Sequence, residues 1–529
     1  MNKKTLLTLL VGSIIGMISP TLHADNQSSY PLHPVSGADG VSRSDEDWIS
    51  PYRGPGYSGD RLVDSNGLTG KVICGYQGWF RAAGDSSGTG WGHYVHGSFD
   101  DLTVEMWPDM SEYSDPEKYP VPGWTHADGR PAYLFSSANK QTVLRHFQWM
   151  EAYGIDGVAV QRFVTGLNQQ QPKESFRIPG YAREAAHRTG RTFFIMYDMS
   201  GASPDRCIDL MTEDWRFLVD SMQITASDRY LHQGAKPVVG LFGFFSDRFS
   251  AADANRLLDV FQTEGPYKAF VLGSGQWWWR SETATGWRDV FHRMDGYIPW
   301  NVGNYSGNNA NTHYWAADQA DMERAGVLYM PLVFPGFSWD NLQNQPPGTT
   351  NFPRRQGAVL WNQFVAAHQI GAKTVYVAMF DEIDEGTAIF KVTNDVPVNH
   401  YFLTLEGLPS DFYLLLTGLG TKLINGSATV PEQMPDFASQ SQPPIPTIIS
   451  PTDGDTMTEV SIAWSPVEHA SGILGYELKL DQDIIMLSTT EYRPSLAAGE
   501  HTARVRAING LHHRGGYSEA VVFTVPDNS

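Results

Sequence analysis

The stretch TVYVAMFDEIDEGT, residues 374–387, joins an apolar strand-like run to an abrupt acidic turn. Residues 374–380 do not alternate between polar and apolar positions, so they read as a parallel strand buried on both faces. Working upstream, runs of the same kind recur at 71–80, 157–163, 192–199, 237–244, 269–273, 296–300 and 327–334. Helical patterns lie between most of them, at 142–153, 176–189, 204–225, 251–263, 313–325 and 354–370. Strand–helix repetition builds right-handed βαβ units. Eight strands over this length predict a closed (β/α)8 TIM barrel spanning 67–428. An open doubly wound sheet is the competing arrangement, and it calls for a G-x-G-x-x-G loop after the first strand. The first strand here ends in GYQGWF, which lacks it.

The rhythm changes after residue 428. A Pro/Ser/Gln-rich linker covers 429–443, and VSIAWSP, GYELKLD, HTARVRAING and EAVVFTV follow as alternating runs. This predicts an all-β sandwich at 444–526, of the fibronectin type III or immunoglobulin kind. The core Trp464 and the run ARVRAIN resemble fibronectin type III, with His501 where a Tyr usually precedes that run. The module is expected to be a spacer or an accessory domain.

At the other end, Lys3 and Lys4 precede an apolar stretch at 6–18, and Ala24 closes a cleavage-site pattern. Residues 1–24 are therefore expected to be a signal peptide, too short to span a membrane, and the mature protein secreted or periplasmic, with no membrane insertion. Residues 25–66, rich in Ser, Gly, Pro and Asp, read as a linker or a surface arm. Cys74 and Cys207 are the only two cysteines, and both sit in or beside apolar runs, which reads as buried thiols, not a disulfide framework. His93 and His96 are assigned to a Gly-rich surface loop, and no Cys/His spacing resembles a zinc site.

Composition narrows the function. The formal charge of −20 excludes a nucleic-acid binder, because a phosphate backbone needs Lys/Arg clusters. The 16 Trp, 23 Tyr and 26 Phe supply flat amphipathic rings of the sort that stack on sugars. The expected partner is thus a glycan, with no cofactor or metal assigned and the oligomeric state open.

In a barrel the chemistry sits at the C-terminal ends of the strands. There the eighth strand meets Asp381, Glu382, Asp384 and Glu385, four carboxylates in five residues. Such a cluster is either a solvated acidic loop, a calcium site, or a catalytic pair in which crowding raises one pKa. Glycoside cleavage uses two carboxyl groups, and the position after a barrel strand favours that reading. Substrate contacts are expected from Asp381 and Asp384, from Tyr197 and Asp198 after the third strand, and from Arg162 after the second. Trp278 after the fifth strand, Trp339 and Asp340 after the seventh, and Trp79 after the first complete the set.

FDEIDEGT resembles the signature of the endo-α-mannosidase family, glycoside hydrolase family 99, in which a Glu, two residues, a second Glu and Gly-Thr end the eighth strand. GYQGWF, YDMSG and PGFSWDN are similar to runs in the wider group related to families 71 and 99. The resemblance spans roughly residues 70–425. It implies a retaining glycoside hydrolase. Glu382 would be the base that takes the proton of the sugar 2-hydroxyl, and Glu385 the general acid that then activates water. This chain has Asp381 where the family commonly has Asn, and Ile383-Asp384 where it has Trp-His. Two other functions stand beside this one: a non-catalytic glycan-binding barrel, and a polysaccharide lyase relying on Tyr197 and Arg162.

Overall fold

The computed structural model describes residues 48–59, 61–167, 176–427, 433–434, 443–469, 473–481, 483–509 and 514–526. The expected signal peptide, the first half of the arm and most of the linker at 429–443 lie outside these residues. The chain forms two compact units, Met1–Glu432 and Gln433–Ser529.

The first unit is a (β/α)8 barrel. Its strands are β1 (Lys71–Tyr76), β2 (Gly157–Phe163), β3 (Thr192–Asp198), β4 (Lys236–Phe244), β5 (Phe270–Gln276) and β6 (Gly296–Trp300). β7 consists of two segments, Leu328–Tyr329 and Leu332–Val333, and β8 is Thr374–Val377. The helices are α1 (Lys140–Tyr153), α2 (Arg177–Thr189), α3 (Pro204–Arg216), α4 (Ala251–Gln262), α5 (Trp287–Arg293), α6 (Trp315–Ala325), α7 (Ala358–Gln369) and α8 (Phe412–Asn425).

Closure depends on the broken seventh strand. Leu328 pairs with Gly296 of β6, whereas Leu332 pairs with Tyr376 of β8. Pro331 lies between the segments; it has no N–H to continue one ladder, and its carbonyl accepts from Tyr376 N at 3.0 Å. β8 then pairs with β1 in parallel, from Lys71 with Thr374 to Cys74 with Val377. Strands β1, β3 and β8 are buried along their whole length, which is why they read as unbroken apolar runs. Cys74 and Cys207 are both free and buried.

Three features depart from the sequence reading. The helix expected at 204–225 ends at Arg216 and continues as a π turn, Phe217–Ser221. α5 is only seven residues long, too short for an apolar period to show. α8 carries Gly418 against α1, where a Cβ would come within 1.9 Å of the Tyr153 carbonyl oxygen. That glycine allows the close helix approach and weakens the local helical signal.

The described residues of the second unit form a sandwich of seven strands. One sheet holds β9 (Ile448–Ser450), β10 (Ile462–Trp464) and β13 (Glu491–Tyr492). The other holds β12 (Asp483–Leu487), β11 (Ile473–Leu480), β14 (Gly499–Asn509) and β15 (Val521–Val525). Trp464, Tyr476, Leu478, Val505 and Phe523 fill the space between the sheets. The His501 imidazole lies 2.9 Å from the Ala497 carbonyl oxygen, four residues upstream. It thus makes the backbone contact that a Tyr makes at this corner of related sandwiches.

Candidate active site

The acidic turn after β8 is pinned from both sides. Asp381, fully buried, accepts from Gln77 N at 2.8 Å and from Gly78 N at 2.9 Å with its two oxygens. Gly78 has a φ of 58°, in the left-handed region, so the chain leaving β1 can turn its amides toward that carboxylate. On the far side the Glu382 carbonyl accepts from Thr387 N and Ala388 N, and Ser338 N donates to the Glu385 carbonyl at 3.0 Å. The buried Glu105 carboxylate joins the same corner, taking Ser338 Oγ at 2.8 Å and Asn341 N at 2.5 Å. Loops from β1, β7 and β8 are thereby tied into one block.

Within that block Glu382 and Glu385 reach the mouth. Glu382 accepts from Gln77 Nε2 at 2.7 Å and from Thr387 Oγ1 at 3.2 Å. Both glutamates line a narrow inner pocket of about 50 Å³, walled by Trp79, Phe163, Phe242 and Trp300. Glu385 also lines an open cleft of about 420 Å³ above it, together with Asp384, Gln77, Trp79, His93 and Arg162. Asp384 Oδ1, Trp79 Nε1 and Gln77 Oε1 are buried there with no hydrogen-bond partner. A hydroxyl-rich ligand can supply both the donors and the acceptors that these atoms lack.

Burial governs the electrostatics. Loss of solvation raises Asp381 and Asp384 to about 7, and loss of solvation together with the neighbouring Asp384 and Asp198 charges raises Glu385 to about 8. Glu382 is raised well above its usual value by burial first and then by the Glu385 charge. One proton held between crowded carboxylates is what an acid–base pair needs at neutral pH.

The same shifts govern stability. Unfolded carboxyls titrate near 4, so between about pH 4 and pH 8 the native cluster keeps protons that the unfolded chain has released. Stability is full below that window and falls as pH rises through it. Asp384→Asn removes one of the groups responsible. It is expected to raise the thermal midpoint at pH 8 by about 2–4 °C, roughly 1 kcal/mol, over its effect at pH 4. Equal shifts at both pH values in a thermal scan would show that Asp384 is not held protonated.

The other expected site residues divide. Asp198 lines the inner pocket, where its Oδ1 accepts from Ser200 N at 2.7 Å. Trp79 lines both spaces and stacks on His93, with centroids 4.0 Å apart. Tyr197 is a correction. Strand alternation turns Met196 and Asp198 inward and Tyr197 toward the helices, where its hydroxyl donates to Asp214 at 2.6 Å. Arg162 touches the cleft, but its guanidinium is committed to the same Asp214, with Nε at 2.9 Å. The two groups required by the lyase reading are therefore locked into one internal network.

Trp339 and Asp340 are corrections as well. Trp339 packs on Phe337, and Asp340 fixes its own loop by accepting from Gly348 N and Thr350 N; Leu342 and Gln343 of that loop line the cleft instead. Trp278 lies edge-on to Trp277 and lines neither space, and Asp381 grips backbone and lines neither. His93, expected in a surface loop, stands with Nδ1 3.8 Å from Asp384 Oδ2. Gln77, Gln161, Phe163 and Trp300 line the inner pocket. Gln77, Phe163 and Trp300 carry no motif that marks them for the pocket; only the position of Gln77 and Trp300 at strand ends points to it. Among the described residues no three of His, Cys, Asp and Glu gather to hold a metal ion.

No protein-family model and no curated protein matches the chain. Solved structures do. The family 99 endo-α-mannosidase of Bacteroides thetaiotaomicron superposes with a TM-score of 0.53 at 17% identity, covering 68% of this chain and 100% of that one. The same enzyme in complex with bis-tris-propane gives 0.52 at 16% identity, again over 68% of this chain and 100% of that one. A fibronectin(III)-like module of Clostridium thermocellum CbhA is matched over 96% of its length and 15% of this chain, at 15% identity and a TM-score of 0.14. The barrel thus has the fold of these glycoside hydrolases.

Proposed function

We propose that this chain, with the barrel fold of a family 99 endo-α-mannosidase, is an exported retaining glycoside hydrolase acting on an extracellular glycan. The observation that carries the reading is the meeting of Glu382 and Glu385 in one aromatic-walled pocket beside an open cleft, with Glu385 raised to about 8 as a general acid requires. A sugar ring in that pocket lays its C–H face on an indole and its hydroxyls on the carboxylates.

The Glu382 carboxylate takes the proton of the 2-hydroxyl, O2 attacks C1, and Glu385 gives its proton to the glycosidic oxygen as the C1–O bond breaks. Water then loses a proton to Glu385 and attacks C1. The C1–O2 bond opens, and O2 recovers its proton from Glu382. Two inversions leave the configuration retained. Gln77 and Thr387, which donate to Glu382, set the orientation of the base.

Product analysis on a panel of α-mannan, α-glucan and algal polysaccharides tests the reading. A new reducing end of retained anomeric configuration, read by NMR during turnover, is expected. Binding without new reducing ends on any member favours a barrel that has lost turnover, for which the Asp381 and Asp384 replacements are the sequence argument.

A further inference from the structure

A second cavity, of about 510 Å³, opens between the long β1–α1 loop and the β8–α8 loop. Both loops leave the C-terminal ends of barrel strands, so it lies on the same face as the cleft, yet it shares no lining residue with it. Its apolar side is made by Trp107, Pro108, Met110, Pro131 and Tyr133. Trp107 stacks on Trp124 at 5.8 Å behind it, so this wall is stiff.

The polar side has hydrogen-bonding capacity that the protein itself leaves unused. Trp107 Nε1 is buried with no hydrogen-bond partner, and His126 Nδ1, also without a hydrogen bond, stands 3.6 Å from the Asp395 carboxylate. The Lys118 ammonium, half-buried at the rim, has no ion pair or hydrogen bond among the described residues. Charge does not dominate: Lys118 and Arg130 are matched by Asp109 and Asp395, and Arg130 is bonded to Asp395 at 2.7 Å. Apolar surface beside unmet donors and balanced charge suits a pyranose ring better than a free anion or a lipid chain. Buried polar groups are normally satisfied, so the unmet Trp107 indole N–H marks a place where a ligand can supply an acceptor.

We infer that this cavity is a second saccharide-binding site, which holds a pyranose unit of a polysaccharide away from the catalytic pocket. Two attachments on one polymer raise its effective concentration at the cleft without new contacts there.

The test is affinity electrophoresis of the full chain in gels containing yeast α-mannan, dextran or alginate, with a polysaccharide-free gel as reference. Ser111→Trp fills the cavity from an exposed position and removes no internal contact. Lys118→Ala with Tyr133→Phe removes two polar groups that the cavity offers to a ligand, and thermal unfolding checks that both variants fold. The expected result is retardation of the wild-type protein by at least one of the three polymers, weakened about fivefold or more in both variants and kept in Glu385→Gln. The alginate arm tells whether a carboxylate on the ring is preferred to a neutral one. Retardation unchanged in Ser111→Trp, or no retardation in any gel, overturns the inference. Failure of hydrolysis alone leaves the retardation result standing, so the two readings fail separately.

Discussion

Glu385→Gln is expected to lower turnover of a natural glycan by about a thousandfold while leaving affinity for that glycan unchanged. The substitution keeps the shape of a side chain that lines both the inner pocket and the cleft, and it removes the proton that the leaving oxygen needs. Burial and the Asp384 charge hold that proton at neutral pH, so no solvent-exposed group replaces it easily. The loss should shrink on a substrate whose leaving group departs without protonation, such as an activated aryl glycoside. That contrast separates a general acid from a residue that merely shapes the pocket. Near-normal turnover of the natural glycan would end the assignment.

Asp381→Ala is expected to destabilise the barrel by about 2 kcal/mol and to lower turnover at least about tenfold. Asp381 lines neither cavity, so its effect is indirect. Its two oxygens take the Gln77 and Gly78 amides, and their loss leaves two buried N–H groups unmet. Gln77 then loses the anchor that places its Nε2 on Glu382 at 2.7 Å. Asp381→Asn keeps one acceptor and should recover part of both losses. A stable Asp381→Ala protein with unchanged turnover would show that Gln77 is held by other contacts.

The sequence was most legible where physics leaves little choice. A parallel strand covered on both faces must be apolar throughout, so residues 374–380 and their counterparts could be found without coordinates. Chemistry at strand ends follows from barrel geometry, and the acidic turn after β8 could be located for the same reason. Short or broken elements were less visible: α5 has too few residues to show a period, and Pro331 divides β7 between two neighbours.

Side-chain direction was the main loss. Tyr197 and Asp198 are adjacent in sequence, yet one faces Asp214 behind the strand and the other the pocket. Their facing depends on where β3 starts its alternation inside the closed barrel, and a run of seven buried residues conceals that phase. Asp340 had the composition of a site residue but is occupied by its own loop.

The chain alone thus determined a (β/α)8 barrel, an all-β sandwich after it and the place of the acidic turn at the end of the eighth strand, because backbone burial and strand order are written locally. Only the tertiary structure decided which groups surround Glu382 and Glu385. Gln77 meets Glu382 across more than 300 residues, and His93 meets Asp384 from a loop with no regular structure. Such contacts are set by barrel closure and loop packing. They involve single side chains brought together from distant elements, and they leave no period in the sequence to read.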